Sequence, residues 1–182
     1  TAKTIGLGIM YGMGKGKLAD QLGVDVAEAS EILVRFNTYA PFVRQLADTV
    51  MRSASTRGYI KTLLGRRSHF DMWEPRQYGT GRPMKYKEAM HEYNGDIKRA
   101  FVYKALNKLI QGSAADMTKK AMLDCYNASY APLLQVHDEL VFSVANKKQI
   151  KEITEIMEGA VKLEVPNKVD AEIGKNWGDS MS

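Results

Sequence analysis

Leu134-Gln135-Val136-His137-Asp138-Glu139-Leu140-Val141-Phe142 sets two short apolar runs on either side of a polar tip. Extended to Leu133–Val136 and Leu140–Val144, these runs predict the two arms of an antiparallel hairpin. The tip, His137-Asp138-Glu139, has two readings. It is a solvated polar turn, or it is a rigid mount that holds a carboxylate out to a divalent cation. Carboxylate oxygens suit Mg²⁺, which keeps further ligands on substrate phosphates. Adjacent strand residues point to opposite faces, so Asp138 and Glu139 need not share an ion, and Asp138 is the expected ligand.

Upstream of the hairpin, Ile97 to Ala128 carries a helical pattern interrupted at Gly112. Downstream, Lys147–Leu163 places Ile150, Ile153, Met157, Ala160 and Val161 on one apolar helical stripe. After Pro166, Val169–Ile173 reads as a last strand. Nearer the start, Asp25 with Glu28 makes a capping box that opens a helix from Val26 to about Tyr39. Pro41 starts another helix, which Gly58 stops after Arg57. A short helix is expected around Lys17–Leu22, ended by Gly23. Tyr59–Leu63 and Ser68–Phe70 read as strands around Gly65-Arg66-Arg67. Residues 71–96 collect Pro75, Gly79, Gly81, Pro83, Asn94 and Gly95, and read as a long excursion with a short helix at Tyr86–Tyr93. In the first dozen residues Lys3, Leu7 and Tyr11 recur every four positions, on one helical stripe. Gly6 and Gly8 weaken such a helix by up to about 1 kcal/mol each relative to Ala, so their use there is spatial: no Cβ stands between the helix and an approaching group. These elements predict an α+β chain, mainly helical at first, then a small antiparallel sheet with packing helices. Thr1 already reads as the interior of an element, so the chain is expected to continue upstream.

Composition bounds the rest. At 45% hydrophobic and 26% charged, 182 residues fit one globular domain or two small ones. No run of about 18 apolar residues suggests a membrane span, and a cytoplasmic setting is the default. Cys125 is the single cysteine, which rules out an internal disulfide framework. The net charge of +5 suits a polyanionic partner without specifying one. The glycine-rich start fails as a Walker A loop, because Ile9 and Tyr11 stand where the first glycine belongs before Gly14-Lys15 and Gly16-Lys17. It fails as a dinucleotide loop, because Tyr11 follows Gly6-Leu7-Gly8 where a third glycine is needed. His69, His91 and His137 are too scattered for a zinc site. Two-metal phosphoryl transfer needs a second source of carboxylate, and no other segment offers one on an apolar strand.

Three blocks, in order, make the chain resemble family A (polymerase I-like) DNA polymerases. Ala2-Lys3-Thr4-Ile5-Gly6-Leu7-Gly8-Ile9-Met10-Tyr11-Gly12-Met13 is similar to motif B of the fingers. Gly58-Tyr59-Ile60-Lys61-Thr62-Leu63-Leu64-Gly65-Arg66-Arg67 and Ala105-Leu106-Asn107-Lys108-Leu109-Ile110-Gln111-Gly112-Ser113-Ala114-Ala115-Asp116 together make the second. Gln135-Val136-His137-Asp138-Glu139-Leu140-Val141 resembles motif C of the palm. The tail from Leu163-Glu164-Val165-Pro166 to Asn176-Trp177 is also similar, and only residues 71–96 look inserted. The resemblance implies a partial fingers subdomain over 1–98 and a partial palm over 99–182.

It also implies roles. Lys3 would bind the triphosphate, Leu7 would lie against the sugar of the incoming dNTP, and Tyr11 would stack near the new base pair. Asn107 and Gln111, four apart on one helix face, would touch the minor-groove side of primer-template DNA, where all base pairs present common acceptors. Arg66 and Arg67 would meet DNA phosphates, and His137 would lie near the primer terminus. Asp138 would ligate Mg²⁺, with Glu139 assisting, in a mechanism using two such ions. The other metal-binding Asp, in motif A, is not among these residues and would come from the remainder of the polymerase chain upstream. Leu7 replaces the usual Phe or Tyr, a feature of some phage polymerases, and Tyr103 replaces an Arg. The expected activity is deoxynucleotide transfer from dNTP to a primer 3′-OH, with no membrane partner. A non-catalytic DNA-binding relic, or one piece of a split polymerase, is the alternative.

Overall fold

The computed structural model describes residues 2–10, 12–77, 79 and 81–180, with the side chains of residues 2–4, 10 and 180 set aside. The fold is α+β, and the chain divides within one helix into two compact units, Thr1–Ile110 and Gln111–Ser182.

The first unit opens with α1 (Ala2–Met10), α2 (Lys15–Leu22), α3 (Val26–Tyr39) and α4 (Pro41–Arg57). Local chemistry sets their ends. Gly23 and Gly58 take φ of 68° and 78° and close α2 and α4, in the left-handed region that glycine enters without a Cβ penalty. Asp25 caps α3, its Oδ1 accepting the Glu28 N–H at 2.8 Å, and Pro41 occupies the first turn of α4, where no N–H is needed. Leu18, Ala19 and Ala29 form a small core that Ile5, Ile9, Leu22 and Ile32 extend.

A second core holds the next segment. β1 (Tyr59–Lys61) pairs antiparallel with β2 (Arg67–His69), Ile60 opposite Ser68. Ile60 and Phe70 are buried against Val50 and Ala54 of α4 and against Ala105. Burying each large side chain contributes roughly 1.5–3 kcal/mol.

Residues 71–96, expected as an excursion with a short helix at Tyr86–Tyr93, supply that helix and two strands of a three-stranded antiparallel sheet. β3 (Met72–Pro75) lies between β4 (Met84–Lys85) and β5 (Ile97–Arg99), with α5 (Tyr86–Glu92) between β4 and β5 in sequence. The expected start of a helix at Ile97 is therefore corrected: Ile97 to Arg99 find a ladder partner in β3. After a 3₁₀ turn at Val102–Lys104, α6 (Ala105–Asn127) runs without a break through Gly112. One glycine costs only about 1 kcal/mol relative to Ala, too little to interrupt a helix of 23 residues.

In the second unit β6 (Leu134–Val136) pairs with β7 (Glu139–Val141), followed by α7 (Lys147–Gly159) and a four-residue α8 (Trp177–Ser180). On α7, Ile153 is buried while Lys147, Lys148 and Lys151 are exposed, as the apolar stripe requires. Val169–Ile173 forms no strand. No ladder partner reaches it among the described residues, and the Val169 N–H instead donates to the Glu158 carboxylate at 3.1 Å.

Candidate nucleic-acid interface and metal-binding hairpin

The β6–β7 connection is a two-residue loop, His137-Asp138, closed by the Val136–Glu139 pair. His137 sits at φ 53°, the positive φ that primed hairpin turns require at their first position. The Gln135 side-chain amide donates to the His137 carbonyl at 3.1 Å and braces the turn. Asp138 and Glu139 are both exposed, and neither carboxylate has a partner among the described residues. Their oxygens suit Mg²⁺, which typically takes one or two protein carboxylates and completes its shell with water and phosphate. No group of three or more His, Cys, Asp or Glu side chains able to hold a metal occurs among the described residues. The donor set fits part of a Mg²⁺ site and needs oxygens from elsewhere.

A basic surface occupies the other hairpin. Arg66 and Arg67 are exposed, and the Arg67 guanidinium lies 4.7 Å from the centre of the Tyr59 ring. Lys108 of α6 stands 4.5 Å over the Phe70 ring and donates to the His69 carbonyl at 3.4 Å. It therefore joins the arginine hairpin to the start of α6, where Asn107 is exposed; Gln111 is exposed one turn on. The resemblance of the surrounding block marked Asn107 and Gln111 in the sequence. Lys108 had no such mark, because a cation resting on a distant ring leaves no local pattern.

Of the stripe expected to meet the nucleotide, Leu7 is 41% exposed on α1 while Ile5 and Ile9 turn into the core. The Lys3 side chain and all of Tyr11 lie outside the described residues. Gly6 faces open space among them, and the room beside Gly8 is taken by the Met13 side chain.

Titration is perturbed away from these residues. The Tyr130 hydroxyl donates to the Glu152 carboxylate. That bond raises the tyrosine above its ordinary range and, with Lys148 nearby, lowers the glutamate. Burial, then the Asp124 charge, pushes the Cys125 thiol up, which makes it a poor nucleophile.

A model of DNA polymerase family A matches residues 1–179. A DNA-directed DNA polymerase of Pseudomonas phage M6 is 35% identical over 214 aligned positions, covering 99% of this chain and 29% of the phage protein. DNA polymerase I of Geobacillus stearothermophilus is 35% identical, covering 98% of this chain and 20% of the relative. The solved POL domain of Pol1 from M. smegmatis, in complex with DNA primer-template and dNTP, superposes with a TM-score of 0.75 at 30% identity, over 99% of this chain and 30% of that one. The chain thus spans a fifth to three-tenths of the length of these proteins.

Proposed function

The chain belongs to DNA polymerase family A, and from that premise we propose that it serves template-directed DNA synthesis, contributing part of the fingers over residues 1–98 and part of the palm over 99–182. The observation that carries the reading is the His137-Asp138 turn: an unpartnered carboxylate on a braced hairpin. Asp138 would hold one Mg²⁺, with Glu139 assisting. Bound Mg²⁺ supplies charge neutralisation at the attacking and leaving oxygens, a task shared by two ions in this chemistry. The other carboxylates come from outside these 182 residues.

The chain's own residues bind and orient. Lys3 sets a point positive charge against the triphosphate, Leu7 lies against the dNTP sugar, and Tyr11 stacks on the new pair. Asn107 and Gln111 check pair shape from the minor groove without reading sequence. Arg66 and Arg67 neutralise DNA phosphates, and His137 stands by the primer terminus. Movement of the helix carrying Lys3 and Leu7, with Tyr11 next after it in sequence, selects the correct nucleotide by induced fit.

The test is Asp138→Ala in the full chain, meaning these residues together with the part that supplies the other carboxylates. Losing one preorganised charge-stabilising group costs about 10²–10³-fold in kcat, so primer extension should fall by about that factor. Thermal melting should stay within about 0.5 kcal/mol of wild type, as for other exposed positions. Extension at the wild-type rate would sink the assignment. A second reading, DNA binding without catalysis, is supported by the exposed Arg66 and Arg67 of the β1–β2 hairpin. It predicts salt-sensitive binding and no Mg²⁺-dependent extension by the full chain.

A further inference from the structure

The three-stranded sheet and α5, which lie in sequence between the arginine hairpin and α6, line an open groove of about 520 Å³ that the proposed reaction does not use. Trp73 and Tyr86 line it, their rings meeting edge-to-face at 5.1 Å. Arg99 covers Trp73 at 4.5 Å. Its guanidinium donates to the carbonyls of Ser55 at 3.2 Å and Phe70 at 2.9 Å, so it is a fixed cation with no carboxylate partner among the described residues. Lys85 and Lys87 also line the groove, and neither has an ion-pair partner among the described residues, whereas Arg76 and Lys98 of the same sheet are paired with Asp96 and Glu74. Asp71 and Glu88 stand at the groove too, leaving three cations against two carboxylates. Tyr86 is 50% exposed and offers a flat aromatic surface beside them.

A π-face next to unpaired cations is what an unstacked base and its phosphate require. A duplex cannot use it, because its bases are already stacked. Arg99 also fastens the groove to the end of β2 through Phe70, so a strand held here is rigidly tied to the arginine hairpin. We infer that this groove binds single-stranded DNA, with a base on Tyr86 and phosphates at Lys85 and Lys87. The inference rests on the polymerase reading for the source of that strand.

Fluorescence anisotropy of the full chain on an oligo(dT) and on a blunt hairpin duplex tests it. Tyr86→Ala should weaken oligo(dT) binding about tenfold, within the range for one stacked base, and Tyr86→Phe should keep wild-type affinity. Lys85→Ala with Lys87→Ala should flatten the slope of log K against log salt by about 1.4. Duplex binding should not change in any variant. Oligo(dT) binding unaltered by these changes, or equal losses on both DNAs, overturns the inference while the polymerase reading stands. A wild-type chain that binds neither DNA removes both.

Discussion

Two hairpins of the same build, β1–β2 and β6–β7, are held in opposite ways. Each pairs a three-residue strand with another, and an isolated two-stranded hairpin is marginal in water. β1–β2 is anchored by a core: Ile60 and Phe70 are 3% exposed and packed against α4. β6–β7 keeps Leu133 at 67% and Leu134 at 43% exposed, and its nearest fastening is polar, the Tyr130 hydroxyl on Glu152 at the loop leading into it. The basic hairpin therefore rests on fully buried side chains, while the acidic one has only the half-buried Val136, Leu140 and Val141 beside its hydrogen bonds and its own turn. A metal-binding tip gains from exposure, and exposure removes the apolar support.

The largest effect that separates them is a core truncation. Phe70→Ala should cost about 3–5 kcal/mol, whereas Leu134→Ala, on an exposed strand, should stay within about 0.5 kcal/mol. Chemical denaturation of both variants checks the contrast. A loss at Leu134 as large as that at Phe70 would mean that β6–β7 also rests on packing.

That contrast was partly legible in advance. Both hairpins, α3 and α4 follow from neighbours in sequence: the Asp25 cap, Pro41, Gly58 and short apolar runs. The β3–β5 pairing joins Trp73 to Arg99, and no local periodicity announces a partner so far along the chain. Arg99 escaped notice for the same reason, since its work is done on Ser55 and Phe70, 44 and 29 positions away. Asp138 was singled out by residue type on a polar tip, and Asn107 and Gln111 by the resemblance of the block around them. Their exposure was not legible, because it depends on what packs behind them.

A medium effect should come from pH, through the Tyr130–Glu152 pair of the second unit. Glu152 is lowered chiefly by its bond from Tyr130. Its contribution is therefore present above the ordinary glutamate range and is lost as pH falls through the lowered value. Tyr130 is raised by the same bond, so its contribution is present below the ordinary tyrosine range and is lost as pH rises through the raised value. Melting of the wild-type chain against Tyr130→Phe should show a stability gap that closes at both extremes and is full between them. A gap that persists unchanged into acid would show that the hydroxyl acts through something other than the ionised Glu152 carboxylate.

The smallest effect lies in the turn of β6–β7 itself. A non-glycine residue at positive φ costs about 1–2 kcal/mol, and His137 bears that at φ 53°. Glycine removes the strain but adds roughly 0.5–1 kcal/mol of unfolded-state entropy. His137→Gly should therefore stabilise the chain slightly, by about 0.5–1 kcal/mol, while lowering primer extension if the imidazole meets the primer terminus. Opposite signs in melting and extension would mark a strained turn kept for its side chain, as expected where conformational strain gathers at a working site. Unchanged melting would mean the turn relaxes without cost. The acidic hairpin would then differ from the basic one only in what packs behind it, and not in the strain it carries.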